Sequence, residues 1–171
     1  MAHIVWTPDL NTGIAEIDRQ HRRIVDYINM LHEQRRLADR AALAAVIADV
    51  VDYTESHFAF EEELLEQAGY EFLGLHRKVH SLFIRRIGTV KARFEAGEDV
   101  ADELHEILSN WLIRHIRTED HGYKEQVKAY LAQRGEAAET ASAENADFEA
   151  LLPGLGQRMQ KKGWLARLFA R

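Results

Sequence analysis

Four long stretches of this chain carry apolar residues at spacings of three and four, and none of them contains a proline. Residues at i, i+3 and i+4 share one face of an α-helix, so each stretch has the pattern of an amphipathic helix. Proline breaks helices most strongly, and the two prolines, Pro8 and Pro153, lie near the two ends of the chain. No stretch alternates apolar and polar residues over a useful length. The sequence therefore predicts an all-α fold.

The predicted helices are long and their connections are short. They cover residues 18–38, 39–68, 72–96 and 99–117. Asp39 is a suitable N-cap for the second helix, and Gly69 and Gly97 are suitable stops for the second and third. We expect residues 1–17 to form an arm that packs across the domain without a regular element. Four such helices favour an up-down-up-down four-helix bundle with an N-terminal arm and a C-terminal extension.

Composition excludes several classes of protein. Hydrophobic residues make up 46% of the chain, which is enough for a buried core, and the net charge of −6 gives nucleic-acid binding no electrostatic support. The chain has no cysteine, which rules out disulfides, thiolate metal sites and cysteine nucleophiles. Neither a signal peptide nor an apolar run of about 18 residues is visible, so we expect a cytoplasmic protein.

Histidines and carboxylates lie on the apolar stripes of the predicted helices. His57 and Glu61 are four residues apart, as are His76 and His80, so each pair lies on one helix face, one turn apart. His21 lies alone on the stripe of the first helix. Each pattern by itself is weak evidence for a metal site, because single histidines are usually ordinary core or surface residues.

The fourth helix carries a pair with a different spacing. His115 and Asp120 are five residues apart, which an ideal helix does not align, so we expect the helix to end or distort between them. Together, five imidazoles and two carboxylates converge on one predicted core. Buried imidazoles without partners are costly, and a metal cluster explains them most simply. The other four histidines lie off the stripes or outside the predicted helices, and we interpret them as surface residues without a role: His3, His32, His105 and His121.

The type and number of these ligands indicate which metal could bind. Seven side chains are too many for one tetrahedral zinc ion, whereas two bridging carboxylates and five imidazoles fit a pair of metals. Imidazole suits iron, copper, nickel and zinc, and calcium and magnesium prefer oxygen. Five terminal nitrogens divide as three and two. With three bridging oxygens, one from solvent, one metal has six ligands and the other keeps a position open for a small molecule.

The ordered pattern H…HxxxE…HxxxH…HxxxxD resembles that of the hemerythrins, and its surroundings resemble the bacterial members, the bacteriohemerythrins. The resemblance covers about residues 1–130. Beyond the seven positions it rests on Trp6 and on the stretches 17–21, 57–62, 69–70 and 111–116.

The resemblance implies a non-haem di-iron centre with an oxo or hydroxo bridge. One iron would be held by three histidines: His76, His80 and His115. The other would be held by His21 and His57, with Glu61 and Asp120 bridging the two. Dioxygen would bind reversibly at the iron held by His21 and His57, and the protein would store oxygen or deliver it to oxygen-requiring enzymes.

Two other functions fit the same residues. The centre could act as an oxygen or redox sensor that signals through the C-terminal tail, or as a di-iron enzyme such as a peroxidase or a nitric-oxide-handling protein. An enzyme would need a proton donor beside the open iron, and we interpret Glu62 and Glu63 as a solvated face instead. Helical spacing predicts an apolar pocket wall that would slow iron oxidation: Ile24, Ile28, Phe58, Phe83 and Trp111.

The last 36 residues differ from the rest, which we take as the oxygen-binding domain, residues 1–135. Residues 136–150 are acidic and alanine-rich, and residues 154–171 are basic without an acid. The basic tail places four apolar residues on one face of a short helix: Trp164, Leu165, Leu168 and Phe169. Such a tail suits a protein partner or the surface of the inner membrane, although it could also be disordered or pack on its own domain. We expect a monomer.

Overall fold

The computed structural model describes residues 3–34 and 39–133, and in these ranges the chain forms helices and connecting turns without strands. A 3₁₀ turn at Pro8–Leu10 precedes four helices: α1 (Ala15–Gln34), α2 (Arg40–Gln67), α3 (Leu73–Glu95) and α4 (Ala101–His115). A π-helical turn, Ile116–Asp120, joins α4 to a further helix, α5 (His121–Gln133). Each of the first four helices packs against its neighbours in the bundle, and the predicted all-α four-helix bundle is confirmed.

The first helix starts three residues earlier than predicted, at Ala15. Asp18, in its first turn, binds the backbone that leads into the helix and so stabilises this start. Its carboxylate accepts hydrogen bonds from the backbone N–H of Thr12 at 2.7 Å and of Gly13 at 3.0 Å, and from the Thr12 hydroxyl at 2.8 Å. Gly13 has a φ of 78°, which a residue with a side chain adopts only with strain. The prediction of an arm without any regular element is therefore wrong at its 3₁₀ turn and at its last residues.

The ends of α2 and α3 follow the predicted signals. The Asp39 carboxylate accepts hydrogen bonds from the backbone N–H groups of Ala41 and Ala42, both at 3.0 Å. Gly69 and Gly97 follow the two helices with φ values of 67° and 104°. A residue with a side chain adopts such positive φ values only with strain, so glycine suits both helix ends.

The fourth helix does not end at residue 117 as predicted. After α4 the backbone forms the π-helical turn and then continues as α5. The predicted distortion between His115 and Asp120 is therefore confirmed, and the predicted end of the helix is wrong. Tyr123, Val127 and Leu131 repeat every four residues and bury one face of α5 in a small apolar cluster with residues of α1 and α2. That spacing was a usable signal of helix.

The polar site lies between two apolar clusters. A large cluster fills the bundle between α1, α2, α3 and α4, and the smaller cluster beneath α5 closes its other end. On α1, His21 falls between Ile17 of the small cluster and Ile24 of the large one, and both isoleucines are buried. The site is therefore enclosed by packed side chains along the bundle axis.

Two of the four histidines predicted to lie on the surface are buried, so that prediction is wrong for His32 and His105. They are 2% and 1% exposed, and their rings contact each other across α1 and α4. His3 is exposed and His121 is partly buried. Helical spacing alone gave the wrong prediction for His32 and His105. The buried core also takes in positions beside the apolar stripes, and these two histidines occupy such positions.

No helix among the described residues is both long enough and apolar enough to cross a membrane. The predictions for residues 136–171 lie outside the described residues.

Replacing Asp18 with alanine should lower the free energy of unfolding by about 2–3 kcal/mol, because it leaves the N–H groups of Thr12 and Gly13 without their charged acceptor. Denaturant unfolding followed by circular dichroism measures this change. Asp26→Ala is the control, since Asp26 lies on the same helix, is 61% exposed and forms only a 3.8 Å ion pair with Arg23. It should change stability by less than about 0.5 kcal/mol. Equal effects of the two changes would contradict the capping role of Asp18.

Candidate metal centre

The structure brings all seven predicted site residues together in one buried cluster, which we call the centre. No side chain in it is more than 3% exposed. Every helix of the four-helix bundle contributes: His21 from α1, His57 and Glu61 from α2, His76 and His80 from α3, His115 from the end of α4 and Asp120 from the π-helical turn.

The Glu61 carboxylate lies between imidazoles of two helices. Its Oε2 is 3.1 Å from Nε2 of His57, on its own helix, and its Oε1 is 2.6 Å from Nε2 of His76 on α3. The four-residue spacing of His57 and Glu61 places both on one face of α2, as predicted. Each oxygen of Glu61 therefore faces a different imidazole.

The Asp120 carboxylate also lies between imidazoles of two helices, α1 and α4. Its Oδ2 is 3.2 Å from Nε2 of His21, and its Oδ1 is 3.0 Å from Nε2 of His115. The π-helical turn adds one residue to the helical repeat, so residues five apart share a face and Asp120 lies beside His115. His80 completes the group, with its Nε2 3.0 Å from that of His115.

The donor atoms fall into two overlapping sets. Ligand atoms of one set lie within 4.8 Å of one another, and so do those of the other: Glu61, His76, His80 and His115 in the first, and His21, His57 and Glu61 in the second. Within the described residues, all four carboxylate oxygens of Glu61 and Asp120 lack a well-aligned hydrogen bond although they are buried. Two buried carboxylates need positive charge nearby, and metal ions between these atoms would supply it.

Outer hydrogen bonds orient two of the imidazoles. Oε1 of Gln20 accepts a hydrogen bond from Nδ1 of His57 at 2.9 Å, and a carboxylate oxygen of Glu62 accepts one from Nδ1 of His80 at 2.8 Å. With Nδ1 protonated, Nε2 of each ring carries the lone pair and points into the centre. Sequence reasoning missed Gln20, whose only signal was its place before His21. It also interpreted Glu62 as part of a solvated face, whereas that side chain contacts His80.

Burial keeps two imidazoles neutral. It lowers the pKa of His57 to about 4, although the contact with Glu61 acts in the opposite direction, and it also lowers the pKa of His80. Burial acts in the same direction on His76, but the close contact with Glu61 outweighs it and raises the His76 pKa. Neutral imidazoles are the form that binds metal ions, so His57 and His80 are ready as ligands near neutral pH.

The two carboxylates stay ionised despite their burial. Burial acts to raise the pKa of Glu61, but the contacts with His57 and His76 outweigh it and hold that pKa well below its usual value. Burial and the charge of Glu61 act to raise the pKa of Asp120, but the contacts with His115 and His21 lower it. The centre is therefore anionic, as a site for cations requires.

Aromatic rings enclose the α3–α4 side of the centre. Phe58 stacks on His80 at 3.7 Å between ring centroids, Trp111 stacks on His115 at 4.2 Å, and Phe83 stacks on Trp111 at 3.8 Å. Ile24 and Ile28 are buried in the same core. The five predicted wall residues therefore belong to or pack against one hydrophobic cluster, and two of them, Phe58 and Trp111, stack directly on imidazoles.

Two aromatic residues near the centre were not among the predicted wall residues. The ring centroid of Trp6, in the arm, lies 6.4 Å from that of His21. The ring centroid of the fully buried Tyr123, on α5, lies 5.7 Å from that of His76. Burial, reinforced by the charges of Glu61 and Asp120, raises the Tyr123 pKa well above its usual value, so its hydroxyl stays protonated.

A family model, the hemerythrin HHE cation binding domain, matches residues 12–127. All seven residues of the centre lie inside this range.

Curated relatives cover most of the chain. It is 55% identical over 133 residues to bacteriohemerythrins of Pseudomonas paraeruginosa and Stenotrophomonas maltophilia, a match that spans 78% of this chain and 87% of each relative. A myohemerythrin of Theromyzon tessulatum is 29% identical over 119 residues, which is 70% of this chain and 89% of the relative.

Solved structures share the fold. The crystal structure of wild-type hemerythrin superposes with a TM-score of 0.71 at 26% sequence identity, covering 74% of this chain and 98% of the other. The sequence match, the superposition and the cluster of five imidazoles and two carboxylates agree. The chain belongs to the hemerythrin family, as a di-iron, oxygen-binding protein similar to the bacteriohemerythrins.

Proposed function

We propose that the seven side chains of the centre hold two iron ions. One iron takes the three-histidine set: His76, His80 and His115. The other takes His21 and His57, and both carboxylates bridge. One observation carries this assignment: Glu61 and Asp120 each direct one oxygen to a histidine of the first set and the other oxygen to a histidine of the second.

The unequal division of histidines gives the two irons different roles. With Glu61, Asp120 and an oxo or hydroxo group as bridges, the three-histidine iron would have six ligands and the other iron five. His21 and His57 would therefore hold the iron that keeps a position for dioxygen. Two ferrous ions held in this way would supply the electrons for reversible binding of dioxygen.

The side chains around the centre favour reversible binding over further chemistry. All seven residues of the centre are buried, and the stacked rings of Phe58, Phe83 and Trp111 cover the α3–α4 side with apolar surface. An apolar wall limits the delivery of protons and so slows irreversible oxidation of the iron. These features support storage of dioxygen, or its delivery to oxygen-requiring enzymes, as the function.

Residues 1–135 would then be the oxygen-binding unit of a cytoplasmic monomer, and residues 136–171 an acidic linker and a basic tail. The composition of residues 154–171 supports attachment to an oxygen-consuming partner or to the inner membrane surface, since its helical spacing predicts one apolar face surrounded by basic residues, as in interfacial helices.

Loading the protein with ferrous iron under anaerobic conditions should give two irons per chain. A visible absorption band should then appear when dioxygen is added and fade when it is removed. Iron analysis and absorption spectroscopy over repeated cycles measure both properties. Rapid irreversible oxidation in the first cycle would contradict the proposed carrier function.

Replacing His57 with alanine should abolish the reversible absorption band. The oxygen-binding iron would keep only one histidine ligand, His21, and would be lost. His105→Ala is the matched control, since His105 is equally buried, at 1% exposure, on another helix. The control should keep two irons and reversible binding, provided that circular dichroism shows both variants folded. Normal oxygen binding by the His57 variant would show that the ligand assignment is wrong.

Deleting residues 154–171 should leave iron content and oxygen binding unchanged while reducing co-sedimentation with inner-membrane vesicles. The tail lies outside the family match, so we expect the centre not to depend on it. Unchanged co-sedimentation would rule out a role of the tail at the membrane.

A further inference from the structure

A second group of metal-ligating side chains lies at the other end of α1, where the last turn of the helix meets the arm. Nε2 of His3 is 2.6 Å from Oε1 of Glu33, and the His3 ring lies 4.8 Å from the His32 ring. Ligand atoms of these three residues all lie within 4.8 Å of one another. We propose that His3, His32 and Glu33 form a separate site for a single divalent transition-metal ion of the zinc type.

The site is distinct from the centre. His21 and His32 both lie on α1, eleven residues apart in the sequence, which corresponds to about 16 Å along a helix. No residue of the centre belongs to the group at His3. One ion therefore cannot be shared by the two places.

Two features hold the three ligands in place. The arm is fixed to α1 next to His3, because the backbone N–H of Ile4 donates to Oδ1 of Asn29 at 2.9 Å and Nδ2 of Asn29 donates to the Ile4 carbonyl at 3.0 Å. On the inner side, His105 packs its ring 5.2 Å from that of His32, and both rings are buried. A metal ion would therefore meet a group that is already assembled.

The chemistry of the group suits a transition-metal ion. Two imidazole nitrogens and one carboxylate oxygen form a common ligand set for zinc, with the remaining position left to water. His32 and Glu33 lie in the last turn of α1, where the helix dipole places partial negative charge and favours a cation. The side chains of His3 and Glu33 are 49% and 54% exposed, so the ion would exchange freely with solvent.

Occupation of this site would fasten the arm to the bundle. The arm also carries Trp6, which lies against His21 of the centre and under the guanidinium of Arg22. An ion bound by His3 would therefore hold the residues that cover one side of the centre.

Zinc titration of the full-length, iron-loaded protein without a histidine tag tests the proposal. Calorimetry should show one equivalent of zinc per chain at micromolar free zinc, with iron content and the visible spectrum unchanged. Since loss of an outer partner alone weakens metal sites by about tenfold or more, removal of a ligand in His3→Ala or Glu33→Gln should weaken zinc binding by at least that factor. Both side chains are exposed, so neither change should unfold the protein.

Glu98→Gln is the matched control. Glu98 is 53% exposed, close to the value for Glu33, and is paired with Arg93 rather than with a histidine. The zinc affinity of the Glu98→Gln variant should equal that of the unchanged protein. The proposal is wrong if the iron-loaded protein takes up no additional zinc, or if it takes up zinc with the same affinity in His3→Ala and Glu33→Gln.

Discussion

The burial of two ionised carboxylates at the middle of a helical bundle is the constraint on which the rest of this structure depends. Glu61 and Asp120 are fully buried, and an isolated carboxylate in such a place would be protonated or would unfold its surroundings. Five imidazoles surround them, and metal cations held between these groups would balance the negative charge. Every helix of the bundle supplies a residue to the centre or leads into the turn that does, and the two apolar clusters complete the core.

The π-helical turn follows from this constraint. A regular helix would carry Asp120 away from His115, and the extra residue of the turn keeps both on one face. A π-helical turn weakens helical hydrogen bonding locally, so its presence at the centre is consistent with a geometry required by metal binding. The chain then resumes as α5, whose buried Tyr123 closes the smaller cluster. The distortion and the closing helix thus serve the same site.

The outer hydrogen bonds show how the same fold sets the direction of two imidazoles, those of His57 and His80. Gln20 on α1 orients His57 on α2, and Glu62 on α2 orients His80 on α3. Each of these contacts crosses from one helix to the next, so the packing of the bundle and the orientation of its ligands depend on each other. The histidines at the far end of α1 follow a related principle, since His105 of α4 packs against His32 while the arm brings His3 to the same place.

The sequence by itself determined the four helices of the bundle, the N-cap at Asp39, the glycine stops and the seven residues of the centre, because helical periodicity and residue spacing are local properties of the chain. It also indicated that the helix must distort between His115 and Asp120. It predicted neither α5 nor the start of α1 at Ala15. The tertiary structure alone decided which oxygen faces which imidazole, the contacts of Gln20 and Glu62, and the burial of His32 and His105. These depend on how separate helices pack, and residues such as Gln20 and His57, 37 positions apart, meet only when the bundle has formed.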